Sequence, residues 1–395
     1  MRLAVLGLLL AGASGVRLGR PARPHVARAA GAGPRRACLV RLADRPQPKR
    51  LTVRERVRRW VLPLERPPAA PAWAPNCAVR LRPALQLCVL LAFYGAHVLL
   101  GLRERQRPWL RLPSFMGFGV DNLVGLVLLA LFALERTRRS ACSPPAPRAM
   151  RIPCEVPVKT RGKLPGVVLA LGVLFSLSAR AVELLEPLSN LAEWAGAPMS
   201  LATERAVEIL LSHAAWVTMA LHTLGSQLSP FWPRQGGQWV QMRWRSLWLW
   251  WAIGGYAGSL AVYGVGDAFS HALLPASAFE GVSLVSRLTQ TGPGEGLAVA
   301  LGVLAPCFSA PLFEEVLYRG FLLRALAAYM PIGLAVPVQG MLFSAHHVAP
   351  HAFIPLAALG SFWAVLYLAS GNLVVCALVH ALWNSRAIIV SLAGS

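Results

Sequence analysis

Apolar residues run along this chain in long blocks without period-two alternation. Blocks of spanning length fall at Ala84–Leu102, Phe118–Leu134, Leu164–Ala179, Val207–Leu224, Leu247–Gly264 and Leu297–Phe313, and three more close the chain near Ile332–Ala345, His351–Leu368 and Leu373–Leu392. A bilayer core leaves no unpaired backbone group, so a spanning segment is a helix or a strand of a closed barrel, and runs without alternation select the helix. The pattern predicts an all-α polytopic membrane bundle of about seven to nine transmembrane helices. Proline clusters mark the loops, at Pro67–Pro75, Pro144–Pro157 and Gly292-Pro293-Gly294. The last of these divides a region 67–291, of unassigned function, from a C-terminal module 292–395.

Composition agrees with this pattern. Of the 395 residues, 55% are hydrophobic and 14% charged, with mean hydropathy +0.51, more apolar surface than one soluble core can use. The net charge of +22 is unevenly placed: Met1–Arg66 holds 16 Lys and Arg against Asp44, Glu55 and Glu65. Other basic residues, such as Arg103, Arg105 and Arg136, flank apolar runs, where they hold loops at the headgroups. No basic patch is interleaved with aromatics in the manner of an RNA-binding face, so nucleic acid is not an expected partner. The expected partners are the lipid bilayer and a protein or peptide substrate. Trp239, Trp244, Trp248, Trp250 and Trp251 read as an interfacial aromatic belt.

Residues 1–66 read as a cleavable two-part leader and basic linker. Arg2 precedes a short apolar run, Leu3–Leu10, and Ala11-Gly12-Ala13 offers a cleavage site. The following stretch, Val16–Val40, is rich in Arg and Ala and lacks acidic residues, the composition of an organelle transit peptide. Signal plus transit resembles the bipartite leader of algal plastids, and the expected location is a plastid (chloroplast) membrane. The seven cysteines form no C-x-x-C pair and suggest neither a disulfide framework nor a thiolate metal site.

Candidate chemistry concentrates in the last hundred residues. From Gly296 onward the only carboxylates are Glu314 and Glu315, at the end of an apolar run. A charge at membrane depth costs about 2.5 to 3.5 kcal/mol on the insertion scale, so an adjacent pair requires a compensating arrangement. On a helix Arg319 lies about 40° from Glu315 and about 140° from Glu314, which pairs it with Glu315 and leaves Glu314 to face something else. His380 and Asn384 share one face, one turn apart, in an otherwise apolar helix. Glu314 with a histidine can deprotonate a water while His380 and Asn384 donate to the oxyanion of a tetrahedral intermediate. Gly264-Val265-Gly266-Asp267 matches the GxGD motif of aspartyl intramembrane proteases. The aspartate pair that such enzymes need would have to include Asp121, which lacks that family's preceding Tyr.

The motifs Glu314-Glu315-Val316-Leu317-Tyr318-Arg319, Phe343-Ser344-Ala345-His346-His347 and His380-Ala381-Leu382-Trp383-Asn384 occur in this order on successive predicted helices. They resemble the EExxxR, FxxxH and HxxxN signatures of the CPBP family, the CAAX prenyl endopeptidase and bacteriocin-processing (Abi) membrane proteases, and the region Trp248–Ser391 is similar to plastid members. The resemblance implies an intramembrane endopeptidase in which Glu314 activates water with His347, which stands four after Phe343. It further implies that Glu315 and Arg319 support the site and that His380 and Asn384 form the oxyanion hole. His346 fits only a looser register from Leu342. Two mechanisms stay open: one without a cofactor, and one with Zn held by Glu314, His347 and His380. A non-proteolytic alternative, a plastid scaffold that stabilises partners in chlorophyll metabolism, also follows from the resemblance.

Overall fold

The computed structural model describes residues 81–106, 156–228, 239–244, 247–279 and 294–393, together with a few isolated positions. The leader, Asp121 and most of the Phe118–Leu134 block lie outside the described residues. Within them the chain is a helix bundle without strands, an all-α polytopic membrane fold.

Nine helices carry the architecture: α1 Pro83–Gln106, α2 Leu164–Ser178, α3 Leu185–Trp194, α4 Leu201–Gln227, α5 Leu249–Leu273, α6 Gly296–Ala327, α7 Ile332–His346, α8 Phe353–Ser370 and α9 Leu373–Leu392. A 3₁₀ turn joins α2 to α3, so that Leu164–Trp194 is one of five segments long and apolar enough to cross a membrane. The others are α4, α6, Pro350–Ser370 and α9. Each border has a local cause. Ser200 accepts a hydrogen bond from the Thr203 N–H to open α4, Asn372 accepts one from the Val374 N–H to open α9, and Gly371, with φ +59°, closes α8 in the left-handed conformation that glycine adopts without strain.

Two elements are longer than the hydropathy pattern suggests. Helix α5 continues past Gly264 to Leu273, because the polar residues of Val265–Leu273 keep helical geometry and Asp267 pairs with His271, one turn on, at 3.6 Å. Helix α6 does not stop at Phe313. It continues through the acidic motif as a 32-residue helix, which puts Glu314 and Glu315 near its midpoint.

Helices α5, α7, α8 and α9 form the centre, with α8 packed against α5 and α7, and α9 against α5 and the middle of α6. Glycine makes this packing close. A Cβ added at Gly266 would lie 2.6 Å from the backbone of Pro355, and one added at Gly258 would lie 2.5 Å from the Phe362 ring. Gly266 of the GxGD-like stretch is thus a helix-packing residue. Trp239 and Trp248 do not form an interfacial belt: Trp248 is fully buried and Trp239 stacks on Phe231, so both belong to the core.

Gly266→Ala should lower stability by about 1 to 3 kcal/mol, because the new methyl meets backbone that cannot turn aside. Gly166→Ala, in α2 with nothing within 4 Å of the added methyl, should leave stability unchanged or raise it by up to about 1 kcal/mol. Thermal unfolding of the two variants in detergent checks the contrast.

Candidate active site

The local sequence of α6 sets up the site. Two π-helical segments, Ala305–Ser309 and Val316–Leu322, flank the α-helical turn Ala310–Glu315. In the first, the Ala310 N–H bonds to the Ala305 carbonyl five residues back. In that register the donor for the Pro306 carbonyl would be residue 311, a proline without an N–H. The side chain of Asn384 takes its place, donating from Nδ2 to Pro306 O at 2.7 Å. A proline in α6 thereby fixes an asparagine of α9.

Glu315 is fully buried, with Oε1 engaged and Oε2 without a hydrogen-bond partner among the described residues. Its Oε1 accepts from Arg319 Nη1 at 2.8 Å and from His380 Nδ1 at 3.0 Å. Arg319, also fully buried, donates from Nη2 to the Gly360 carbonyl at 2.8 Å. That carbonyl is within reach because α7 and α8 touch at Gly340 and Gly360, where a Cβ on Gly360 would lie 3.1 Å from the Gly340 Cα. The guanidinium sits 5.1 Å from the Phe343 ring centre and 5.4 Å from that of Trp363, within cation–π range.

Glu314 is placed differently. Its Oε2 is buried, has no hydrogen-bond partner among the described residues, and stands 3.9 Å from His380 Nε2. With Nδ1–H given to Glu315, His380 presents Nε2 to Glu314, and that atom carries a hydrogen only in the imidazolium form. His347 caps the end of α7. Its Nδ1–H donates to Phe343 O at 2.8 Å, leaving the Nε2 lone pair unengaged, and the residue is exposed. Val348 follows with φ +52°, a left-handed conformation that is costly for a β-branched residue and ends the helix sharply at the histidine.

The structure brings Glu314, Glu315, Arg319 and His380 into direct contact or near-contact. Asn384 stands one turn along α9, and His347 packs on Phe343, whose ring lies 5.9 Å from that of His380. Glu314, His347 and His380 do not converge as a zinc ligand set. Among the described residues no three His, Cys, Asp or Glu side chains stand close enough to hold an ion, and His380 Nδ1 and His347 Nδ1 are each turned to another partner.

Residues 296–386 match the family model described as type II CAAX prenyl endopeptidase Rce1-like. This match supports a CPBP-family intramembrane protease, with the similarity confined to the C-terminal part of the chain. No curated protein and no solved structure matches the chain. The match takes in all of the endopeptidase domain's polar centre, from the start of α6 to two residues past Asn384.

Two supporting residues of this domain are not signalled by the sequence. Trp363 packs on His380 with ring centres 4.4 Å apart and anchors its own N–H on Ser259 Oγ of α5 at 2.8 Å. Gly360 supplies the carbonyl for Arg319. Both lie in an apolar run, where an aromatic or a glycine is indistinguishable from ordinary packing.

Asn384→Ala should lower stability by about 1 to 3 kcal/mol by leaving the Pro306 carbonyl unpaired. Pro311→Ala restores a backbone donor, so the double variant should lose less than the sum of the single losses, by about 1 kcal/mol. A double-mutant cycle of unfolding free energies in detergent measures this coupling.

Proposed function

We propose that the C-terminal domain hydrolyses a peptide bond of a membrane-associated protein with a water activated by Glu314 and His347, without a metal. One observation carries this reading. The Oε2 atoms of both adjacent carboxylates are buried without a hydrogen-bond partner among the described residues, but Glu315 accepts from Arg319 and His380 through Oε1, whereas Glu314 accepts no hydrogen bond there and has Oε2 3.9 Å from His380 Nε2.

In the reaction, Glu314 takes a proton from water while His347 Nε2 accepts a hydrogen bond from the same molecule. The hydroxide oxygen attacks the scissile carbonyl carbon. The oxyanion that forms receives hydrogen bonds from the imidazolium Nε2–H of His380 and from the second amide hydrogen of Asn384, its first being held by Pro306 O. Collapse breaks the C–N bond, and Glu314 returns its proton to the leaving amine, so that water and peptide become a carboxylic acid and an amine. Glu315, Arg319 and Trp363 hold His380 in position and touch no reacting atom.

The family name points to a prenylated CAAX-type C-terminal peptide as the first substrate to try. The basic leader, poor in acidic residues, supports delivery to a plastid membrane.

The test is cleavage of a farnesylated CAAX-type peptide by purified protein in lipid nanodiscs, followed by mass spectrometry of the products. Wild type should release the C-terminal tripeptide, and Glu314→Gln and His347→Ala should each lose at least about a hundredfold in kcat while remaining folded. Retention of wild-type turnover by Glu314→Gln contradicts the catalytic assignment. Binding of the peptide by wild type without any cleavage favours a scaffold that holds its partner.

A further inference from the structure

The family match begins at residue 296, yet α4 of the N-terminal region reaches the turn of α6 that carries Glu314, and α2 packs on α4 and α7 beside it. Phe313, the residue before Glu314, has its ring centre 5.6 Å from Trp216 and 6.3 Å from His213, both on α4. Tyr318, one turn after Glu314, lies 6.1 Å from His346 of α7. Phe175 of α2 closes the group, 4.4 Å from His346 and 5.5 Å from Trp216. The result is a packed aromatic cluster beside Glu314, with rings from α2, α4, α6 and α7.

Two imidazoles in this cluster, His213 and His346, differ from the four histidines of the bundle that hold an oxygen. His97, His271, His347 and His380 each place Nδ1 within 3.1 Å of an oxygen. His346 engages neither ring nitrogen, and His213 Nε2 and Trp216 Nε1 are likewise buried without a hydrogen-bond partner among the described residues. A neutral imidazole offers one donor and one acceptor. At membrane depth only protein, an ordered water or a ligand can satisfy them, so several unmet in one place favour a ligand that completes them together. The main chain of an extended peptide presents the complementary pair, one C=O and one N–H, and the surrounding rings suit a large apolar side chain.

We propose that His213 and His346 form a peptide-binding pair beside Glu314, so that α2 and α4 supply one wall of the substrate site and select a segment with a large apolar side chain. This subsite rests on the catalytic reading above. It assigns part of the site to the region outside the matched domain, and it gives His346 a role separate from that of His347. A substrate segment would enter by parting the edge contacts of Phe175 and Trp216. Those two belong to α2 and α4, the spans with the smallest buried share, 18% and 17%, against 39% to 44% for α6, Pro350–Ser370 and α9.

The test uses a farnesylated CAAX-type peptide bearing a benzophenone side chain next to the scissile bond, with full-length protein in nanodiscs. His213→Phe and His346→Phe keep a ring in place and remove the hydrogen bonds. Each should raise KM about tenfold with kcat within about twofold. Trp216→Ala should flatten the preference for large apolar side chains across a peptide panel. In the Glu314→Gln protein the probe should photocrosslink within α4. Unchanged KM in both histidine variants, a loss confined to kcat, or crosslinks restricted to α7–α9 would overturn the proposal. Should Glu314→Gln retain full turnover while crosslinks still fall in α4, the catalytic reading fails and the subsite stands.

Discussion

Everything in the polar centre depends on the Glu315 carboxylate. Placed in the middle of a spanning helix, it carries a charge that lipid would not tolerate, and it is held there by Arg319 from its own helix and His380 from α9. The same contacts do three further things. They fix the His380 ring so that Nε2 faces Glu314. They draw the guanidinium against Gly360 and the Phe343 and Trp363 rings, which locks α6 to α7 and α8. And they engage Arg319 and the Nδ1 side of His380, so that Glu314 meets His380 only through Nε2, at 3.9 Å. A buried ion pair contributes little net stability when complete, but breaking it by removing one partner costs about 3 to 5 kcal/mol, so it acts more as a device for defining one arrangement than as glue.

The helix packing follows from the need to bring these groups together. Backbone carbonyls substitute for side-chain acceptors at two places, Gly360 for Arg319 and Pro306 for Asn384, and each depends on a departure from ordinary helix sequence. At Gly360 a glycine contact with Gly340 lets α7 and α8 approach. At Pro306 a second proline, Pro311, and a π register leave a carbonyl without its backbone donor. Neither device adds charge to the membrane interior. The small-residue seam of α5 against α8 has a related effect, because Ser259 on that seam receives the Trp363 N–H and so orients the ring tilted against His380.

The helical class and most of the spans were legible from unbroken apolar runs, and the pairing of Arg319 with Glu315 followed from a 40° angular offset. What hydropathy missed has identifiable causes. It ended α6 at Phe313 because a carboxylate pair reads as a boundary, whereas partners from other helices let the span continue. It read Trp239 and Trp248 as interfacial because composition does not distinguish a headgroup tryptophan from a core one. The Asn384 to Pro306 bond was illegible, since the π register that orphans the carbonyl arises only in the folded helix. Trp363 and Gly360 carried no signal at all. Nor did the packing of α4 on Phe313, where an ordinary apolar span hides His213 and Trp216.

If Glu315 holds the structure and Glu314 is left for reaction, losing each carboxylate affects stability differently, and the unfolding temperatures of Glu315→Gln and Glu314→Gln in the same detergent measure the difference. Glu315→Gln should unfold well below wild type, because the Arg319 charge is left buried without its counter-ion. Glu314→Gln should unfold at or above the wild-type temperature, because it removes a buried carboxylate that accepts no hydrogen bond among the described residues. Equal losses in the two variants, or a larger loss for Glu314→Gln, would contradict the account.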